Sequence, residues 1–477
     1  ENMRKLMSTF RVLPLGKIVS NVTSTAWRPD LKIWHRLFAS LISVVRLVEG
    51  RVTRGRVVTL ARFSKDIVSL YRKQGSKGTC LYLKTCSVML MQSTNTSALK
   101  VNPKEISGVR VSASGHGLPR LIPRYDRVAI RKGSDNLFRF WLTLFGLYRV
   151  IEFPGRFSVK TIVKPGKKIS ESFLGEWRGS ITLSLSKLSS ICDKDLIGAD
   201  PELELRPKLI SISTSASNSV SGYSSFAARK MAAYQWINDH WGSALWQYLW
   251  CIGENTGTQS LWNIMMNEAK YDPRRGTTTP GRLSTKLEAA GKVRVFAMVD
   301  YWTQFALNPL HEYIMGVLRE IPQDGTFDQT KPVKELLARI PKTQKCYSFD
   351  LSAATDRLSV ELQEILLAKM FTDGLAWSWR KLLCDRTYKV PKRRVKSIIK
   401  DKDLPTWVRY SQGQPMGAYS SWAMLALTHH MIVQMSAQRT GEKGWFRDYA
   451  VLGDDLVIAN DKVAAEYRVI CRQIDLG

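Results

Sequence analysis

The sequence predicts an α+β fold, on three observations. An apolar strand, 345–352 (KCYSFDLS), carries Asp350 at its exit. A glycine-bracketed loop, Gly413 to Gly417, opens a long apolar helix. Two short apolar stretches, 449–452 and 456–459, flank Gly453-Asp454-Asp455 and read as a hairpin. The chain has 477 residues, 44% hydrophobic and 23% charged. That suits two to three domains, or one large enzyme fold, with a buried core, and excludes a disordered tail.

Charge narrows the partners. Lys and Arg number 71 against 41 Asp and Glu, a net charge of +30. Residues 1–150 hold 27 basic and 7 acidic residues, so most of the excess sits in the first third. Such a surface repels itself unless a polyanion is present. Nucleic acid is the simplest one and an anionic membrane surface the second. Seven scattered cysteines without a CxxC exclude a disulfide framework and a zinc module, and fit a reducing compartment. Cys80 and Cys86 read as buried thiols rather than ligands. No apolar run is long enough to span a membrane. The chain starts at Glu1, not Met. Its opening 17 residues are basic and acid-poor, loosely like a transit peptide, but the whole first third is equally basic, which argues against that reading.

In chain order, the elements read as follows. Residues 51–62 (RVTRGRVVTLAR) alternate arginine and valine, which predicts a strand with one basic face. Residues 137–153, broken by Arg139, Arg149 and Glu152, read as core helix or strand. Residues 211–225 (SISTSASNSVSGYSS) read as a linker. Five tryptophans follow between 234 and 262. Trp246 and Trp250, four apart, share a helix face, with core packing expected over base stacking. Residues 358–371 have helical spacing. A basic loop runs over 386–402 and an apolar helix over 419–435. Asp461 is expected to cap a last helix toward Ile474. His429 and His430 diverge by about 100° on their helix and make no two-ligand face, so at least one is expected in the core.

The chemistry lies in the carboxylates. Two adjacent acids between apolar strands are costly to place, and a divalent metal is the economical compensation. Asp356 precedes a helix and can serve as a cap or dipole partner. Asp350, at a strand exit, has no such role. Two strands ending in carboxylates can pair in one sheet and hold two Mg²⁺ ions about 3.5–4 Å apart for in-line phosphoryl transfer. The Gly413–Gly417 loop allows a close backbone approach to a substrate.

The order of carboxylate strand, glycine loop with helix, then GDD hairpin resembles motifs A, B and C of RNA-directed RNA polymerases. DLSAATDR (350–357), GQPMGAYSSWAMLALTHH (413–430) and LGDDLVIAN (452–460) are similar to the mitovirus polymerases of the narnavirus-like lineage. So are AAGKVRVFAMVDYWTQ (289–304) and DGTFDQ (324–329). The resemblance implies a right-handed polymerase with palm and fingers, making RNA from NTPs on an RNA template with Mg²⁺ or Mn²⁺, as a monomer in the host mitochondrion. It implies that Asp350 and Asp454 ligate the metals with Asp455 assisting, and that Asp356 contacts the ribose 2′-OH. Lys292 and Arg294, in motif F, would hold the triphosphate; from the residues alone the lesser alternative is an ordinary solvated strand pair.

Residue by residue, the pattern also departs. Many positive-strand polymerases carry Thr and Asn in motif B, where this chain has Ser421 and Leu425. Sugar selection is then expected to rest on Asp356 with Ser420 or Ser421. Motifs D and E and the thumb would lie past Gly477, so the expectation is a C-terminally incomplete polymerase. The implied organisation is a basic region 1–210 extending the fingers, the linker 211–225, fingers with motif F over 226–344, palm motif A over 345–371, a fingers insertion over 372–410, and palm motifs B and C over 411–477. Two rivals remain. A reverse transcriptase or maturase shares the palm, but Gly453 and Asp356 argue against it. A non-enzymatic RNA-binding remnant of an integrated viral gene is the other, and the intact carboxylates argue against that.

Overall fold

A computed structural model of the protein describes residues 40–47, 50–93, 108–151, 153, 155–205, 232–234, 236, 242–253, 263, 267, 281–391 and 404–477. The opening 17 residues, the linker 211–225, Trp241, Trp262 and residues 392–402 of the basic loop lie outside the described residues. Contacts divide the chain into two compact units, 1–156 with 286–294, and 157–285 with 295–477.

The first unit is helical. Helix α1 (Arg54–Gln92) is broken at Gly75, and α2 (Arg124–Arg131) and α3 (Asp135–Phe145) follow. One 3₁₀ turn, Gly146–Arg149, ends this part, so 137–153 begins as a core helix and not a strand. The strand expected over 51–62 is also helix from Arg54 onward. Thr53 caps it by accepting from the Arg56 N–H, and Leu60, Phe63 and Ile67 repeat at helical spacing into the core. The Arg/Val alternation covers too few residues to outweigh that burial. Buried Asp126 joins the three helices, accepting from Arg56 of α1 and Trp141 of α3 at 2.8 Å each. Leu83, Phe140 and Phe145 pack around Trp141. Cys80 and Cys86 are buried thiols, and burial pushes Cys80 up to about 11.

Further along the chain are α4 (Glu171–Cys192), α5 (Gly242–Cys251), β1 (Gly281–Leu287), β2 (Val293–Val299), α6 (Tyr301–Glu320) and α7 (Lys331–Arg339). Then come β3 (Tyr347–Asp350), α8 (Val360–Met370), α9 (Asp373–Cys384), β4 (Tyr388–Lys389), β5 (Trp407–Val408), α10 (Ser421–Arg439), β6 (Tyr449–Leu452), β7 (Asp455–Ile458) and α11 (Asp461–Gln473). One sheet runs β2-β1-β4-β5 and the other β3-β7-β6, giving an α+β fold. Although it belongs to the basic stretch 1–210, α4 is part of the second unit, where Trp177 donates to the Leu362 carbonyl.

Helix α10 is the hub. From Ser421 to Ala437 every residue but Trp422 is buried. It packs against α4, α6, α8, α11 and β6. A helix apolar on all sides belongs in the middle of a core. It starts two residues later than expected, after Ser420. Asn460, not Asp461, caps α11: its side chain accepts from the Lys462 and Val463 N–H groups. Both residue types suit the role, and Asn460 stands where the extended chain turns into the helix. Trp236 is core, as expected, but Trp250 is 43% exposed, its ring 5.8 Å from Trp246. No helix among the described residues is long and apolar enough to cross a membrane.

Candidate active site

Strand alternation sorts the β3-β7-β6 sheet into two faces. Phe349, Leu456 and Val451 stand in one cross-strand row, and Phe349 meets Tyr467 of α11 at 4.8 Å. The next row is Asp350, Asp455 and Leu452, with Asp350 directly opposite Asp455. It belongs to the other face, beside a groove of about 250 Å³ lined by Gly325, Gln329, Pro332 and Ser348 among others. Asp454 lies in the turn, and its carbonyl accepts from the Leu351 N–H at 3.2 Å. The three carboxylate residues therefore converge where β3 meets the hairpin. Burial pushes the Asp455 carboxyl above its ordinary value, and Asp454 and Asp350 push it further.

The turn is held from α10. Gly453 has φ +60°, and a Cβ there would fall 2.1 Å from the Trp422 ring. The positive φ and the close ring together require glycine. His429 Nδ1 lies 2.6 Å from the Gly453 carbonyl, and its Nε2 lies 2.8 Å from the Tyr467 hydroxyl. A carbonyl only accepts, so Nδ1 carries the hydrogen and Nε2 accepts from Tyr467. Burial lowers the ring to about 4, so it is neutral near pH 7. His430 binds the hairpin's other strand. Gln434 donates to Tyr449 at 3.2 Å, Tyr449 to His430 Nδ1 at 2.8 Å, and His430 Nε2 faces Asp324 at 3.0 Å. Both histidines are core residues, each tied to the hairpin. Sequence reasoning excluded them as a metal pair but missed this. The available signal was two adjacent polar rings inside a mostly apolar helix.

The glycine loop closes on the carboxylate strand's turn. The Gly413 N–H donates to the Asp356 carbonyl at 3.0 Å. Gly417, at φ +113°, lies so near Ala297 that a Cβ would meet its carbonyl at 2.4 Å. Asp356 sits inside a short helical turn, Ala354–Arg357, and so precedes α8, as expected, without being its cap. It is 9% exposed, and one carboxylate oxygen accepts from the Thr161 hydroxyl at 2.6 Å. Its other oxygen is buried without a partner, and burial raises its pKa. Ser420 holds a left-handed φ of 66°, and its hydroxyl accepts from Trp379 at 2.9 Å. Ser421 is buried as well. Lys292 and Arg294 are exposed, and Arg294 pairs with Glu288 at 2.8 Å. Both belong to the first unit, whereas the three aspartates belong to the second.

The donor set suits a hard divalent cation. Asp350 and Asp455 stand opposite each other at one end of a sheet beside Asp454, and burial first, then the charges of Asp454 and Asp350, raise the Asp455 pKa. No group of three His, Cys, Asp or Glu among the described residues encloses a single ion. Mg²⁺ needs no such cage, since one or two carboxylates with substrate phosphates are its usual protein ligands.

The profile of the family described as mitovirus RNA-dependent RNA polymerase matches residues 205–477. That of the uncharacterized mitochondrial protein AtMg01050 matches residues 15–106. An RNA-directed RNA polymerase of Cryphonectria parasitica mitovirus 1 is 41% identical over 239 residues, 50% of this chain and 27% of the viral protein. The uncharacterized mitochondrial proteins AtMg01110 and AtMg01410 of Arabidopsis thaliana are 42% and 36% identical, over 34% and 32% of this chain and 63% and 70% of their own lengths. The chain thus spans about a quarter of the viral relative and under two thirds of the first Arabidopsis one.

Proposed function

The chain belongs to the mitovirus RNA-dependent RNA polymerase family, and on that premise we propose that it carries the palm and part of the fingers of a right-handed polymerase that joins NTPs on an RNA template. The reaction is attack of an RNA 3′-OH on the α-phosphate of the NTP, with pyrophosphate leaving. The observation that supports it most is the register that sets Asp350 opposite Asp455, beside Asp454.

Asp350 and Asp454 hold Mg²⁺ or Mn²⁺ in this reading, with Asp455 assisting. Bound there, the ions would lower the nucleophile's pKa and neutralise charge on the leaving group. The Gly413–Gly417 loop shapes the floor beside them. Lys292 and Arg294 bind the triphosphate, for which Arg294 exchanges Glu288 for phosphate. Asp356, with Ser420 or Ser421, reads the ribose; since all three are buried, this role requires the motif A and B turns to open. The +30 charge suits RNA template and product. The names of the plant relatives support a mitochondrial location, and the protein acts as a monomer.

A second reading is a non-enzymatic RNA-binding remnant of an integrated viral gene, for which the Arabidopsis source of two relatives speaks. One set of measurements separates the two. Mn²⁺ binding by electron paramagnetic resonance and RNA binding by titration are followed in the chain and in Asp350→Asn and Asp454→Asn. The polymerase reading expects Mn²⁺ affinity to fall at least tenfold in both variants, with RNA binding kept. Equal Mn²⁺ affinity in all three proteins overturns it.

A further inference from the structure

We infer that His429 is a positioning residue whose ring holds the Gly453 carbonyl, and with it the turn that presents Asp454 and Asp455. The inference rests on the proposed reading only in taking those aspartates as metal ligands.

Three observations carry it. The hydrogen bond is short, at 2.6 Å, and its donor is fixed from behind by Tyr467 at 2.8 Å. A phenol that donates to Nε2 leaves Nδ1 as the only ring hydrogen, aimed at the carbonyl. Trp422 lies seven residues before His429, two turns back on the same stripe of α10, and its ring closes over Gly453. The turn is therefore gripped at one residue, by a ring contact and a hydrogen bond from one rigid helix. Finally, the anchoring groups come from helices outside the hairpin's own strands: α10 is buried from Ser421 to Ala437 except at Trp422, and Tyr467 comes from α11. A site whose turn is held by buried, preformed elements keeps its ligands in place before the metal arrives.

A merely space-filling histidine would behave differently, and two substitutions tell the cases apart. The Asn side-chain nitrogen falls where Nδ1 is, so His429→Asn keeps the donor to Gly453. The Gln nitrogen falls nearer Nε2, so His429→Gln loses it. Hydrogen exchange by mass spectrometry on residues 449–458 of the full chain reads the turn without any metal. We expect exchange at least tenfold faster in His429→Gln, and within about twofold of the parent in His429→Asn, the scale of one hydrogen bond. Unchanged exchange in His429→Gln overturns the inference, as does equal acceleration in both variants. Should the Gln variant fail to fold, Tyr467→Phe decides. It frees the tautomer at almost constant volume, so unchanged exchange there overturns the inference too. Mn²⁺ affinity measured alongside belongs to the other question. If the parent chain binds no Mn²⁺, the polymerase reading fails, while the exchange result still decides the role of His429.

Discussion

His429 shows how a single buried ring couples stability to pH. Its pKa falls from 6.5 to about 4, chiefly through burial, so the folded state excludes the proton that the unfolded state takes up. The contribution is fully present above about pH 6.5 and is lost as pH falls toward 4. A shift of that size corresponds to something on the order of 3 kcal/mol. Urea denaturation between pH 7 and pH 4.5 should therefore show a steeper loss in the parent than in His429→Asn, which has no group titrating there. Identical pH profiles would mean that the ring is not held neutral. Asp455 moves the opposite way, raised by burial and by its two carboxylate neighbours. A cation added at that end of the sheet relieves both costs.

The hairpin and α10 behave as one element. Gly453 connects β6 to β7 at φ +60°, where any L side chain costs about 1 kcal/mol. The Trp422 ring leaves no room for that side chain even if the backbone cost is met. Gly453→Ala should destabilise the chain by about 2 kcal/mol or more, the sum of backbone strain and overlap. Trp422→Ala removes the obstacle but not the strain. The double variant should thus be more stable than the two single losses predict, by at least about 1 kcal/mol. A coupling near zero in that cycle would show that the ring yields freely. The hairpin itself was legible because its pattern is local: two apolar stretches around a turn. That the Asp350 strand pairs with it was expected from the carboxylates at both strand ends, but the register that sets Asp350 opposite Asp455 was not legible, since a one-residue slip would have placed Asp350 on the opposite face.

Over the whole molecule, charge dominates. A protein with a net charge of +30 should bind RNA with little sequence preference. A plot of log K against log salt for the full chain should fall with a slope of about −3 or steeper, each phosphate contact releasing a counterion. Asp454→Asn should leave that slope unaltered, because the contacts come from Lys and Arg elsewhere. A flat plot would remove nucleic acid as the reason for the charge. The charge pattern did not reveal where the compact units divide. Helix α4 belongs to the basic stretch yet buries Trp177 in the second unit, since burial follows apolar surface and not net charge.

Short-range patterns were enough to identify the family, the acidic residues, the glycine loop and the hairpin. Each is a run of neighbouring residues whose chemistry and backbone needs are visible in the string. Apart from the pairing of the two carboxylate strands, contacts between distant segments were not visible in it. Thr161 on Asp356, His429 on Gly453, Trp422 over the turn and the β3–β7 register each join residues far apart in the chain. They depend on how helices pack and strands align, which follows from burying the whole apolar surface at once. For the same reason the alternation at 51–62 misled: a local period of two gave way to a helix whose apolar stripe had a core to enter.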